Sequence, residues 1–261
     1  MQTLDYQGRH VVITGAASGI GRGLAEAFAR QGASLELLDR NGPGLAAVVE
    51  SLAGVADVKG TVVDLADDTD VARYAASLRE RWERLDVLVN NAGMEQPTPI
   101  TDEGPEANAG WAKQLDNNVV SMVRLTRALL PLLQAGSSVI NQSSIWGLSA
   151  VAGFSAYVAS KHAVIGVTRS LAWELGPKRV RVNAVCPGWV GTDAAMASLR
   201  TLAEENGRSE GAELAHVLAQ QAVPELLRPE DLAGTFLFLG SPSAAAITGQ
   251  AIAVSHGEVM H

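Results

Sequence analysis

Ser144, Tyr157 and Lys161 are the residues of this chain whose types and spacing most directly suit chemistry. They fall in one stretch, SIWGLSAVAGFSAYVASK, with thirteen residues from the serine to the tyrosine and four from the tyrosine to the lysine. If the segment after Gly153 is helical, Tyr157 and Lys161 sit one turn apart on the same face. A cation close to a phenol favours its ionised form, so the pair suits a tyrosine acting as a proton-transfer group. A free phenol titrates near 10, and each unit of depression needs about 1.4 kcal/mol of preferential stabilisation.

Positioning these side chains falls to short β-branched runs that alternate with longer amphipathic segments. Strands are expected at Arg9–Thr14, Ser34–Leu38, Val58–Val63, Asp86–Asn90, Ser138–Gln142, Arg179–Val185 and Ala251–Val254. Helices are expected at Ile20–Gln31, Gly42–Leu52, Asp67–Trp82 with Asp67 as N-cap, Trp111–Gln134, Ser155–Leu175 and Pro229–Leu239. This alternation predicts an α/β fold: a doubly wound parallel sheet of about seven strands, with helices on both faces, in a single domain over 1–261. The stretch at about 191–228 is rich in Ala, Glu and Leu and broken at Asn206-Gly207. It reads as a helical insertion at the mouth of the site, long enough to act as a lid.

The first expected strand runs into Thr14-Gly15-Ala16-Ala17-Ser18-Gly19-Ile20-Gly21 and straight on into a helix. Glycines there let the backbone turn tightly and approach a ligand, and the helix N-terminus offers free N–H groups to a pyrophosphate. Asp39 ends the second strand, about twenty residues on, where a carboxylate accepts hydrogen bonds from an adenosine ribose and repels a 2′-phosphate. Arg40 beside it could reach such a phosphate, but Ser18 rather than a base precedes Gly19, and the balance favours NAD over NADP. Asp64-Leu65 and Asn90-Asn91-Ala92-Gly93 end the third and fourth strands on the same carboxyl edge, where open α/β sheets bind ligands. The turn lacks Gly-Lys-Ser/Thr, which disfavours a nucleotide-hydrolase loop.

Thr14-Gly-x-x-x-Gly-Ile-Gly21, Asn90-Asn-Ala-Gly93, Ser144, Tyr157-x-x-x-Lys161 and Pro187-Gly188 stand in the order and spacing of the short-chain dehydrogenase/reductases. The chain resembles that family from about Gly8 to Gly249. The resemblance implies a Rossmann-type fold and a catalytic set of four. Tyr157 would exchange the proton of the substrate hydroxyl, and Ser144 would bond the same oxygen. Lys161 would lower the Tyr157 pKa and hold the nicotinamide ribose, and Asn118 would anchor a water chain leading away from Lys161. Ser144 is preferred to Ser143 by the thirteen-residue interval, and Asn118 to Asn117 because it stands three before Ser121. The cofactor would be held by Gly15, Ser18, Gly19, Ile20, Gly21, Asp39, Asp64, Leu65, Asn91, Ala92 and Gly93, by Tyr157 and Lys161, and by Pro187, Gly188, Val190 and Thr192. Family members are commonly tetramers, which implies a homotetramer here, packed through the helices that hold Trp111 and Ser155.

Composition bounds the other possibilities. The chain is 47% hydrophobic and 18% charged, with net charge −8 and pI near 5.1. Its basic residues are scattered, which argues against nucleic acid or an anionic membrane as partner. The one cysteine, Cys186, permits no internal disulfide and fits a reducing cytoplasm. No signal peptide is read at the N-terminus, and the longest apolar runs fall short of a membrane span. The five histidines (His10, His162, His216, His256, His261) show no metal-ligand spacing, so no metal is expected. Ser144 lacks a G-x-S-x-G elbow, which disfavours a serine hydrolase.

Candidate substrate contacts flank the motifs: Met94, Glu95 and Gln96, then Trp146, Ser149 and Val151, then Trp189 and the segment from Ala194. Trp146 and Trp189 offer flat faces, while Glu95, Gln96 and His256 offer polar contacts, a mixture suited to a small sugar or polyol rather than a long acyl chain. The tail Val254-Ser255-His256-Gly257-Glu258-Val259-Met260-His261 departs from the Val-Asp-Gly-Gly ending frequent in the family. The expected function is hydride transfer between NAD and a secondary alcohol or carbonyl carbon. The alternatives are a 3-oxoacyl thioester reductase and a non-catalytic dinucleotide-sensing protein on the same fold.

Overall fold

Alternate side chains of the first strand, β1 (His10–Thr14), enter two different apolar layers. Val11 and Ile13 join Leu24, Phe28 and Phe236 on one side; Val12 joins Tyr74, Leu78 and Leu125 on the other. Burial on both faces is what a continuous β-branched run requires of a central parallel strand. These features come from a computed structural model that describes residues 4–260 and leaves His261 outside. The other strands are β2 (Ser34–Asp39), β3 (Val58–Val62), β4 (Leu85–Asn90), β5 (Leu133–Gln142), β6 (Arg181–Pro187) and β7 (Ala251–Val254). All pair in parallel, in the order β3-β2-β1-β4-β5-β6-β7. This is the doubly wound, Rossmann-type sheet expected, with seven strands.

One face is covered by α1 (Gly19–Arg30), α2 (Gly42–Leu52) and α9 (Pro229–Gly240), the other by α3 (Asp68–Arg79), α5 (Ser121–Leu129) and α6 (Ser155–Leu175). Asp67 caps α3 as expected, accepting bonds from the Thr69 and Asp70 amides. Strand order reverses between β1 and β4, so the chain leaves their carboxyl ends in opposite directions and a crevice opens there. Every motif singled out in the sequence lies along that edge.

Several boundaries depart from the sequence reading. The helix expected over Trp111–Gln134 is divided into α4 (Pro105–Leu115), a wider π-type turn at Asp116–Val120, and α5. A π turn adds one residue without ending the helix, so apolar periodicity conceals it. β5 begins at Leu133 rather than Ser138, with a register irregularity against β4 between Leu85 and Val87. β6 begins at Arg181 rather than Arg179, because Arg179 takes a left-handed conformation (φ 57°) to close the turn after α6.

The stretch after Gly191 holds two helices. Thr192 caps α7 (Asp193–Glu205), Asn206-Gly207 breaks it with Gly207 at φ 62°, and Ser209 caps α8 (Glu210–Leu218). Its two ends are tied together where the Gly191 amide donates to the Leu227 carbonyl at 2.7 Å. No helix among the described residues is long and apolar enough to cross a membrane.

Candidate active site

The crevice is built first from the glycine turn. Thr14 Oγ1 accepts the amides of Asn91 and Ala92, both at 2.9 Å, while Asn91 Nδ2 donates to the carbonyls of Thr14 and Gly15. Asn91 therefore braces the turn against the end of β4. A Cβ on Gly21 would stand 2.0 Å from the Gly15 carbonyl oxygen, so only glycine fits there. Ser18 precedes α1 without a capping side-chain bond, and the first turn carries no acid. Its N-terminal amides thus remain available to an anion. Across the turn, the Asp39 carboxylate accepts from the amides of Ala17 (3.0 Å) and Asn41 (2.9 Å), which fixes it at the crevice edge.

This crevice encloses about 430 Å³. It gathers the predicted Gly15, Ser18, Gly19, Ile20, Gly21, Asp39, Asp64, Leu65, Asn91, Ala92, Gly93, Tyr157, Lys161 and Thr192. The predicted Pro187, Gly188 and Val190 line an adjoining pocket of about 380 Å³ that shares Tyr157 and Thr192. An elongated site with open helix amides at one point and a fixed carboxylate at another fits a nicotinamide dinucleotide.

Tyr157 stands between the two spaces. Helix α6 is docked at its start by Thr98, whose Oγ1 accepts the Ala156 amide at 3.0 Å and whose carbonyl accepts Ser155 Oγ at 3.0 Å. One turn on, Lys161 is 3% exposed; its Nζ donates to the Gln142 carbonyl at 3.0 Å and lies 5.4 Å from the centre of the Tyr157 ring. Trp146 meets the same ring edge-on at 5.9 Å. Ser144 Oγ accepts the Trp146 amide at 3.2 Å and lines the pocket. The neighbouring Ser143 is buried and donates its hydroxyl to the Lys161 carbonyl at 2.8 Å.

Burial pushes the Lys161 ammonium down to about 8, against the pull of Glu95 and Cys186. The Tyr157 phenol moves up rather than down: burial raises it, the Glu95 carboxylate adds to this, and Ser144 opposes both. The lowering of Tyr157 expected from Lys161 does not appear in the protein alone, where desolvation and the Glu95 carboxylate dominate.

Asn118 lies on the π turn and is buried. Its Oδ1 accepts the Met94 amide and its Nδ2 donates to the Met94 carbonyl, both at 2.8 Å, and Nδ2 also reaches Ser160 Oγ at 3.0 Å. A Cβ on Gly93 would lie 3.4 Å from both Asn118 Oδ1 and Lys161 Nζ, so the two side chains flank one point. Asn117 points toward the crevice and donates to Asn118 Oδ1 at 3.1 Å.

Glu95, Trp146 and Trp189 all line the 380 Å³ pocket. Gln96 and His256 do not. The Gln96 amide and carbonyl bond the Gln114 side chain, and His256 Nδ1 is held by the Glu225 carbonyl at 2.8 Å. Ser149 is turned to the Ile145 carbonyl, and Val151 also lies off the pocket wall. The sequence reading missed Glu258, which reaches the pocket from the tail, and Gln142, whose carbonyl holds Lys161. No group of three or more His, Cys, Asp or Glu side chains among the described residues could hold a metal ion.

Residues 15–258 match the family model described as enoyl-(acyl carrier protein) reductase. The chain is 33% identical over 261 residues to levodione reductase of Leifsonia aquatica, covering 98% of this chain and 96% of that one. It is 30% identical over 260 residues to the 3-oxoacyl-(acyl-carrier-protein) reductase of Thermotoga maritima, covering 98% and 100%. Among solved structures, L-sorbose reductase from Gluconobacter frateurii, complexed with NADPH and L-sorbose, superposes with a TM-score of 0.90 at 29% identity over 100% of both chains. With the glycine turn, the Ser144-Tyr157-Lys161 grouping and the seven-stranded sheet, these matches establish that the chain belongs to the short-chain dehydrogenase/reductase family of oxidoreductases.

Proposed function

We propose that the protein transfers a hydride between NAD and a secondary alcohol or carbonyl carbon of a small hydroxylated compound, a sugar or polyol. The observation that carries this reading is the position of Tyr157, shared between a dinucleotide-sized crevice and a compact pocket walled by Trp146 and Trp189. When bound, the nicotinamide supplies the hydride donor or acceptor. Ser144 binds the substrate oxygen, and Tyr157 gives it a proton during reduction or takes one during oxidation. The upward shift of the phenol favours its protonated form, the one a carbonyl reduction needs. Lys161 would hold the nicotinamide ribose, and Asn118 fixes the Met94 loop beside it.

Asp39 supports NAD, because a carboxylate held by two amides cannot move aside for a 2′-phosphate. A second reading, use of NADP, draws on Arg40 at the same edge and on the NADPH of the L-sorbose reductase structure. Reduction of 3-oxoacyl thioesters is less well served, since two tryptophans crowd the pocket where a long chain would enter. A homotetramer is supported by Trp173 on α6, 86% exposed, and by Trp111 and Val120 beside α5. A cytoplasmic location fits the one cysteine, free and buried. The test is a panel of sugars, polyols, cyclic ketols and 3-hydroxyacyl thioesters, assayed for NADH formation. Turnover of polyols or sugars is expected; turnover of acyl thioesters alone contradicts the substrate assignment.

A further inference from the structure

The pocket beside Tyr157 carries two carboxyl groups and no cation among the described residues that line it. Glu95 belongs to the loop after β4 and Glu258 to the turn after β7. Neither forms an ion pair among the described residues. Lys161, whose ammonium donates to the Gln142 carbonyl, lines the cofactor crevice together with Glu95 and attracts its carboxylate, whereas Glu258 lines the pocket and not that crevice.

Glu258 is delivered by a turn fixed on three sides. The Gly188 amide donates to the Val254 carbonyl at 3.0 Å, the Val223 amide to the His256 carbonyl at 3.0 Å, and the Glu258 amide to the Ser255 carbonyl at 3.0 Å. His256 and Gly257 both adopt left-handed conformations, φ 52° and 80°, to make the reversal. The tail thereby packs against Gly188, where a Cβ would meet Ser255 Cα at 2.9 Å and Glu258 Oε2 at 3.3 Å. The Gln221 side chain lies beside the Glu258 carboxyl group, but among the described residues Glu258 Oε2 is shut off from solvent with no hydrogen-bond partner, and so is Nε1 of neighbouring Trp189. A buried polar atom left unpaired is disfavoured, and a carboxylate oxygen is satisfied only by a donor.

We infer that Glu258 is a specificity-determining residue: its carboxyl group receives a hydroxyl or ammonium on the substrate, away from the reacting carbon, and turns away compounds that bear a carboxylate there. This rests on the proposed function, which makes the space beside Tyr157 the substrate pocket. A like charge built into a pocket discriminates by repulsion, as a new contact does by attraction.

The test uses three alcohols of similar size that differ in charge: 4-amino-2-butanol, 1,3-butanediol and 3-hydroxybutyrate. For wild type and Glu258→Gln, kcat/KM with NAD is measured, together with binding of each alcohol to the protein–NADH complex followed by NADH fluorescence. Wild type is expected to favour the amine and the diol over the acid by about tenfold or more. Glu258→Gln, nearly isosteric, is expected to abolish most of that preference while the Kd for NADH stays the same. Wild-type preference for the acid overturns the inference. So does failure of the amine and diol both to bind the NADH complex, or an unchanged preference in Glu258→Gln. If Glu258→Gln fails to fold, the same comparison is made with Glu258→Ser, where an unchanged preference likewise overturns the inference. Loss of NADH binding by wild type contradicts the proposed function instead, which separates the two failures.

Discussion

Lys161 Nζ lies 5.4 Å from the centre of the Tyr157 ring, one helical turn away and almost fully buried. Burial brings this ammonium from its ordinary 10.5 to about 8. Below about pH 8 it is charged in folded and unfolded chains alike, and the full penalty of burying a charge applies. Between about 8 and 10.5 the folded chain binds fewer protons than the unfolded one, so stability from this group rises with pH. Tyr157, shifted upward, acts in the opposite sense only above its ordinary 10. Lys161→Met is therefore expected to lose ground against wild type between about pH 7 and 9.5, by on the order of 2 kcal/mol or several degrees in Tm. Thermal melts across that range check this; a gap independent of pH contradicts it.

The rigid Asp39 carboxylate makes a prediction about cofactor choice. Replacing it with Ser removes the charge and leaves Arg40 free to meet a phosphate. Asp39→Ser should shift the NADP-to-NAD ratio of kcat/KM by about 100-fold toward NADP, about 2.7 kcal/mol of discrimination. Steady-state kinetics with both cofactors measures it. An unchanged ratio removes Asp39 from cofactor recognition.

Gly21 tests the packing of the turn. An added methyl would sit 2.0 Å from the Gly15 carbonyl oxygen and 2.6 Å from Asn91 Nδ2, neither of which can give way without opening the turn. Gly21→Ala is expected to destabilise the fold by about 1–3 kcal/mol and to weaken NADH binding at least tenfold. Calorimetry and fluorescence titration report the two effects separately. Normal affinity in a folded variant means the turn can move.

Residues brought to the crevice by local spacing were legible in the sequence; those brought there by distant contacts were not. Tyr157 and Lys161 follow from helical periodicity, and Gly15–Gly21 from a strand that runs directly into a helix. Ser144 over Ser143 needed a family spacing, which the Ser143–Lys161 carbonyl bond accounts for physically. The π turn that holds Asn118 left no mark, because it preserves helical sequence character while shifting the phase by one residue. Glu258 was invisible for another reason. It reaches the pocket because bonds from the Gly188 and Val223 amides fold the tail back, and nothing near Glu258 in sequence encodes those partners. His256, expected as a polar contact, is instead held by the Glu225 carbonyl.

The central claim is that Tyr157 moves the proton while the surrounding crevice binds the dinucleotide independently of it. Tyr157→Phe keeps the ring, its contact with Trp146 and the apolar packing, and removes only the hydroxyl. The decisive measurement pairs the NADH dissociation constant of this variant with its turnover of the best substrate from the panel. The account predicts a Kd within about threefold of wild type and a kcat lower by about 10²–10⁴. Retained turnover, with NADH bound as in wild type, would contradict it.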